Sequence, residues 1–158
     1  MKRWTATVLL LLAVCSTAVG LAVDGKKAMY VGGTRTDIKE AAEGVFDVSS
    51  EVEMAFTPDK TKVRHTIAYK EVAELEYGQK AGRRVAVGLL VSPIALFSKK
   101  RKPYLTISFT DPAGKDQAVV FELGKDIVRT TLAILEARTG KKIQYQDDEA
   151  RKSGKGGD

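Results

Sequence analysis

Alternation of apolar and polar side chains recurs along the middle of the chain, and it restricts the possible folds more than any other feature. In residues 51–57, Val52, Met54 and Phe56 alternate with acidic or small residues. Because successive side chains of a strand point to opposite faces, such a segment predicts a half-buried antiparallel strand. Runs that share this period, or that are short and apolar, lie at residues 28–31, 45–48, 63–69, 73–77, 105–110 and 118–123. The sequence therefore predicts six or seven strands.

A single amphipathic helix is predicted to close the domain. Asp126 is placed to cap the first amides, and Gly140 can adopt the left-handed conformation that ends a helix. Between them, side chains at helical spacing form a stripe, which consists of Ile127, Val128, Thr131, Leu132 and Leu135. Such a stripe is typical of a helix that packs against a core.

Short strands followed by one C-terminal helix form an order that resembles the pleckstrin-homology-like fold and its GRAM-type relatives. The segments IAYKEVAELEYG, KKRKPYLTISFTD and FELGKDIVRTTLAILEARTGKK are similar to bacterial domains of this kind that have no assigned activity. The resemblance implies a mainly β (α+β) fold, a bent antiparallel β-sandwich or barrel of six or seven strands capped by one C-terminal helix. The resemblance covers residues 27–142 of a domain predicted at residues 27–145, and no family signature residue comes with it.

The two ends of the chain differ from this predicted domain. Lys2 and Arg3 precede an apolar run and then small residues, which is the pattern of a secretory signal peptide at residues 1–22. Two alternatives are an uncleaved membrane anchor over the same stretch and lipidation of Cys15. Each predicts an exported protein, periplasmic or extracellular. Residues 146–158 are almost entirely polar, charged or Gly, and we expect them to form a disordered tail.

The segment from Arg83 to Lys102 breaks the alternating pattern. Residues 85–97 read VAVGLLVSPIALF, and these 13 residues are too few to cross a bilayer, which needs about 20. Three interpretations are open: a buried strand or short helix, an apolar loop that dips into a membrane, and a docking patch for a protein partner. In the membrane interpretation, the apolar contacts with the bilayer come from Leu89, Leu90, Ile94 and Phe97.

Six cations flank this apolar run, and they are the candidate residues for binding anionic lipid or a protein partner. They are Arg83, Arg84, Lys99, Lys100, Arg101 and Lys102. Near an anionic membrane surface, each cation contributes about 1 kcal/mol to binding. Nucleic acid phosphates attract the same charges, but export and an aromatic content of 7% argue against a nucleic acid partner.

The sequence predicts no catalytic residue, metal site or cofactor. His65 is the only histidine and Cys15 the only cysteine, so a zinc site of nitrogen and sulfur ligands cannot be assembled. A serine–histidine–aspartate triad would need His65, and no Gly-x-Ser-x-Gly turn presents a serine. Glu71, Glu74 and Glu76 form an acidic patch on the polar side of a strand, where we expect them to be solvated.

These observations favour a non-enzymatic binding or interaction module of the cell envelope, which contacts a membrane surface or a protein partner through residues 83–102. Two alternatives are open. One is a hydrolase whose site combines carboxylates with His65. The other is a purely structural envelope protein.

Overall fold

The computed structural model describes residues 26–78 and 102–155. Within these ranges the chain forms eight strands, one 3-10 turn and two helices. Their bounds are β1 Lys26–Gly33, β2 Ala42–Asp47, β3 Glu53–Pro58, β4 His65–Ala68, the 3-10 turn Tyr69–Glu71, β5 Val72–Gly78, β6 Tyr104–Thr110, β7 Asp116–Leu123, α1 Val128–Thr139, β8 Ile143–Tyr145 and α2 Asp148–Lys155.

The strands form one curled sheet, a half-barrel, in the order β4-β3-β2-β1-β7-β6-β5-β8. Neighbours are antiparallel except at one edge, where β8 runs parallel to β5. The mainly β prediction is confirmed, and the seven predicted strand segments correspond to β1–β7. The predicted count of six or seven strands and the predicted fully antiparallel sheet are wrong. Both predictions lack β8, whose three residues are too few to show alternation.

The core lies between the concave face of the sheet and the helices. Phe121 is at its centre, with ring centroids 4.8 Å from Phe46, 5.0 Å from Phe56 and 5.7 Å from Tyr30. Rings at these distances and tilts add to the free energy of burial by edge-to-face and offset contacts. The predicted stripe on α1 packs into the same cluster, since Val128, Leu132 and Leu135 are buried there.

The ends of α1 agree only in part with the sequence. Gly140 terminates the helix with φ 68°, as predicted. The Asp126 cap is wrong: the N-cap is Ile127, with no side-chain hydrogen bond, and a turn closed by Ile127 N–H and the Gly124 carbonyl precedes the helix. Near the other end, Arg138 Nη1 donates to the carbonyls of Val48 and Ser50, which ties α1 to the β2–β3 turn.

Two valines of the predicted strand segments 51–57 and 63–69 lie outside the strands. Val52 is 72% exposed and Val63 54% exposed, because β3 begins at Glu53 and β4 at His65. In the first of these segments, Met54 and Phe56 are buried as predicted.

The convex face of the sheet is also buried near its middle. Val31, Tyr104 and Val120 form a second apolar cluster there, with Met29 packed beside it. Glu76 lies on this face and is 4% exposed, so the expectation that it is solvated is wrong. Its carboxylate Oε1 accepts a hydrogen bond from Gln146 Nε2 at 2.9 Å. The alternating pattern predicted a polar side for this strand, but it could not indicate that this side is covered.

The C-terminal segment is ordered where the sequence predicted a disordered tail. Residues 148–155 form α2, and Asp147 Oδ1 accepts a hydrogen bond from the Ala150 amide at 2.7 Å. Ala150 and Gly154 are buried against the body of the protein. Composition indicated disorder because the segment has few apolar residues, but two small residues on one face let the helix backbone approach the core closely.

Gly154 provides a test of this close approach. A Cβ at Gly154 would lie 2.6 Å from Cε1 of Tyr145, 3.1 Å from Cδ1 of Leu132 and 3.3 Å from Cδ1 of Tyr77. We expect Gly154→Ala to lower the free energy of unfolding by about 1–3 kcal/mol, although alanine has the higher helix propensity. Urea unfolding and hydrogen exchange of the α2 amides measure the change. The control Lys152→Ala, on the exposed face of α2, should stay within about 0.5 kcal/mol of the parent; a Gly154→Ala protein as stable as the parent contradicts the prediction.

At Thr131 we expect a substitution to raise the free energy of unfolding. It is 0% exposed, and its Oγ1 has no hydrogen-bond partner within the described ranges. Thr131→Val removes that unsatisfied hydroxyl with little change in shape, so we expect a gain of about 1 kcal/mol in the free energy of unfolding. The matched control is Thr139→Val, because Thr139 Oγ1 donates to the Leu135 carbonyl at 2.7 Å and should lose about 1 kcal/mol. Chemical denaturation that moves both variants in the same direction would count against this reading.

Candidate functional site

Of the predicted site residues, Lys102 alone falls within the described ranges. Lys102 Nζ lies 2.8 Å from Glu122 Oε2, and this hydrogen bond raises the pKa of Lys102. The other predicted residues lie outside those ranges: Arg83, Arg84, Leu89, Leu90, Ile94, Phe97, Lys99, Lys100 and Arg101. Their predicted contacts stay predictions. The chain on either side of them fixes where the segment joins the sheet.

The N-terminal apolar run and the apolar run at residues 85–97 are both connected to the described domain at one end of the sheet. Gly78, where β5 ends, pairs with Tyr104, where β6 begins, and the row continues through Glu122 to Met29 near the start of β1. Residues 79–101 therefore leave and re-enter the sheet at adjacent strands, and residues 1–25 enter it two strands away. We call this the Lys102 end of the sheet.

A cleft of about 550 Å³ opens at the Lys102 end. It lies between the beginning of β6, the beginning of α1 and the C-terminal part of α2. Its lining within the described ranges is Tyr77, Lys102, Pro103, Lys125, Asp126, Val128, Arg129 and Ser153. Three cations and one carboxylate thus give the lining an excess positive charge. We call it the Lys102 cleft.

The three cations of the cleft differ in how they are paired. Lys102 is bound to Glu122, whereas Lys125 and Arg129 are exposed and form no ion pair with any residue of 26–78 or 102–155. Two hydroxyls lie beside them, with Tyr77 Oη 3.3 Å from Ser153 Oγ. Ser153 Oγ donates to the Ala150 carbonyl at 2.9 Å, so the Tyr77 hydroxyl donates to Ser153 Oγ, and burial raises the pKa of Tyr77.

A neighbouring cleft of about 330 Å³ shares Lys102 but has a different charge. Its lining places the carboxylates of Glu43, Asp59 and Glu122 beside Lys27 and Lys102. Acidic groups outnumber basic ones, so an anion is better accommodated in the Lys102 cleft.

His65 lies at the opposite end of the half-barrel and has a carboxylate partner that the sequence did not indicate. Its Nδ1 is 3.0 Å from Asp37 Oδ2, and Arg35 Nε donates to Asp37 Oδ1 at 2.9 Å. The hydrogen bond from Arg35 is the main reason that the pKa of Asp37 falls to about 2. Sequence spacing could not reveal the pair, because 28 residues separate its members.

The surroundings of His65 favour a structural role. The cavity that His65 and Arg35 line has a volume of about 10 Å³, room for about one water molecule. Asp37 is shared between the histidine and the guanidinium, so it fixes the 34–41 loop against β4 rather than orienting the imidazole alone. Nearby, the Tyr30 hydroxyl donates to the Arg35 carbonyl at 3.1 Å, and burial raises the pKa of Tyr30 to about 12.

Two kinds of feature are absent from residues 26–78 and 102–155. No group of three or more histidine, cysteine, aspartate or glutamate side chains there is arranged to hold a metal ion. None of the helices there has the length and apolar character needed to span a bilayer.

The Asp37 cluster generates a prediction about acid stability. The pKa of Asp37 is about 2 in the folded protein, below its ordinary 3.8, so the stabilisation it provides is complete above about pH 5 and is lost as the pH falls towards 2. We expect Asp37→Asn to lower the free energy of unfolding by about 1 kcal/mol at neutral pH, allowing for solvent screening of this half-exposed group, and by much less at pH 2. Urea unfolding between pH 2 and 7 gives the comparison. The control is Asp59→Asn, at an exposed pair with Lys62; a deficit for Asp37→Asn that does not shrink at low pH contradicts the prediction.

Comparison with known proteins does not add a family assignment. The sequence matches no protein-family model, and a search of curated proteins finds no relative. The function is therefore proposed from the geometry and charge of the two ends of the half-barrel.

Proposed function

We propose that the protein is a non-enzymatic binding module of the cell envelope, and that it contacts an anionic membrane surface through residues 83–102. The single observation that carries this proposal is the convergence at the Lys102 end. The chain enters β1 there, and the connection of residues 79–101 begins and ends there. An uncleaved anchor at residues 1–22 or a lipid at Cys15, the two alternatives to a cleaved signal peptide, would thus act from the same side of the domain as an apolar contact at residues 85–97.

The charges at the Lys102 end fit this orientation. Six cations flank the apolar run in the sequence, and Lys125 and Arg129 add two exposed positive charges on the adjoining surface. An apolar insertion and a set of cations reinforce each other at an anionic surface, because burial supplies one part of the binding free energy and Coulomb attraction the other. Leu89, Leu90, Ile94 and Phe97 are the residues proposed to enter the bilayer.

A pleckstrin-homology-like or GRAM-like relationship is part of the proposal. It is supported by a run of strands that forms one curled sheet and by α1, which follows β7 and packs on the concave face. The parallel strand β8 and the second helix are additions to the arrangement that the resemblance implies.

A hydrolase is the second candidate, and the Asp37–His65 pair is the observation that favours it. A carboxylate on Nδ1 orients an imidazole for proton transfer at Nε2. The small cavity and the competing Arg35 contact weigh against it. An activity that is lost in His65→Ala, with the fold intact by circular dichroism, would favour the hydrolase over the binding module.

Flotation with lipid vesicles tests the membrane proposal. The protein is purified from its native cell, so that its N-terminus is processed as it is there. It is then mixed with vesicles of phosphatidylglycerol in phosphatidylcholine, or of phosphatidylcholine alone. We expect Lys99→Gln/Lys100→Gln/Arg101→Gln to weaken binding to the anionic vesicles on the order of a hundredfold, from about 1 kcal/mol per charge. Lys102 is left unchanged because Glu122 already pairs with it.

The matched control removes three exposed cations from the opposite end of the sheet. Lys39→Gln/Lys70→Gln/Lys115→Gln has the same net charge, and these residues lie in or beside turns away from the Lys102 end. We expect it to change vesicle binding less than about threefold. Equal losses of vesicle binding in the two triple variants, or binding that does not depend on phosphatidylglycerol, would contradict the membrane proposal.

A further inference from the structure

We infer that the Lys102 cleft is a discrete binding site for one phosphate-bearing group, and that Lys125 and Arg129 are its principal ligands. This inference deepens the proposed function and rests on it only for the source of the phosphate, which is a lipid headgroup if the membrane proposal holds. The alternative source is a soluble phosphate compound. The same chemistry recognises both.

The charges around the cleft differ in whether they are paired. Lys102 Nζ forms an ion pair with Glu122 Oε2 at 2.8 Å. Arg138, elsewhere on α1, donates to backbone carbonyls. Lys125 and Arg129 have no ion-pair partner within the described ranges, although both line a concave surface. Cations that remain unpaired in a concave site raise the local concentration of anions, because the low-dielectric walls focus their field.

The two unpaired cations are donors of the kind that phosphate binds. Arg129 presents a planar guanidinium, which can donate two parallel hydrogen bonds to the oxygens of one phosphate, and Lys125 adds a second, compact charge. Tyr77 and Ser153 place two hydroxyls on the lining, but Ser153 Oγ donates to the Ala150 carbonyl and the Tyr77 hydroxyl donates to Ser153 Oγ, so the cations are the donors that remain for an anion. A guanidinium and an ammonium that line one cleft suit an oxyanion, and a phosphate offers them more acceptor oxygens than a carboxylate or a halide does.

The size and net charge of the cleft also fit a phosphate-bearing group. A cleft of about 550 Å³ has room for a phosphate with its attached glycerol or sugar. Asp126 is the one carboxylate of the described lining, and it reduces the attraction without cancelling it. The cleft also adjoins the first turn of α1, which contains no acidic residue. The positive end of the helix dipole therefore adds to the field of the two side chains, but the side chains are what define the site.

Titration with inorganic phosphate tests the site without any membrane. Protein purified from its native cell is titrated with inorganic phosphate, and the backbone amide signals are followed by NMR. We expect the largest shifts at residues 125–129 and near Ser153, and we expect Lys125→Gln/Arg129→Gln to weaken phosphate binding at least about tenfold, since each lost contact is a charge-assisted hydrogen bond. Lys39→Gln/Lys115→Gln is the control of equal charge. Shifts that avoid the cleft, or an equal loss in the control, overturn the inference.

Vesicle flotation then identifies the source of the phosphate. If a lipid headgroup occupies the cleft, Lys125→Gln/Arg129→Gln weakens binding to phosphatidylglycerol vesicles and inorganic phosphate competes with them. If a soluble compound is the ligand, the double variant loses phosphate binding and floats normally. Each pattern supports the anion site.

The two proposals can fail separately. Normal flotation of Lys99→Gln/Lys100→Gln/Arg101→Gln, together with phosphate binding that maps to Lys125 and Arg129, would remove the membrane function and keep the anion site. Normal phosphate binding by Lys125→Gln/Arg129→Gln removes the anion site, whatever the vesicles show.

Discussion

The packing of α1 against the concave face of the sheet is the interaction on which the rest of the structure depends. A curled sheet that buries aromatic rings on one side needs a cover, and Leu132 and Leu135 provide it at 2% and 0% exposure. The chain beyond α1 then follows from its position, because Gly140 turns the backbone towards β5 and allows β8 to pair there. Truncation of either leucine would leave a cavity at this contact, a change that commonly costs 2–5 kcal/mol.

The sequence predicted the elements whose signal is local. Strands with several alternating residues and the stripe on α1 agree with the structure because period and burial coincide there. Three-residue β8 and eight-residue α2 were missed, since each exists through a partner that is distant in sequence. Glu76 was placed in solvent for the same reason: a polar residue in an alternating strand indicates a face, and only the tertiary structure shows that Gln146 lies over it.

The candidate site was predictable to a similar extent. The cluster of cations before β6 is visible in the sequence, and its last member, Lys102, lies at a cleft. Lys125 and Arg129 carried no signal of their own, because single cations near the beginning of a helix are common on surfaces. The two ends of the half-barrel also differ in a way that composition cannot show. Beside His65 the charges of Arg35 and Asp37 neutralise one another, whereas Lys125 and Arg129 in the Lys102 cleft have no ion-pair partner within the described ranges.

The parallel pairing of β8 has a consequence for how the molecule opens. β8 is an edge strand of three residues, held by β5 alone within the sheet, and α2 continues directly from it. Few backbone hydrogen bonds must break to detach this unit, so it should open at a lower free energy than global unfolding, while the remaining strands stay closed. Such partial opening would bare the ring of Tyr77 and remove Ser153 from its neighbour. Within the described ranges, β8 and α2 thus form a unit whose order can be gained or lost while the other strands persist.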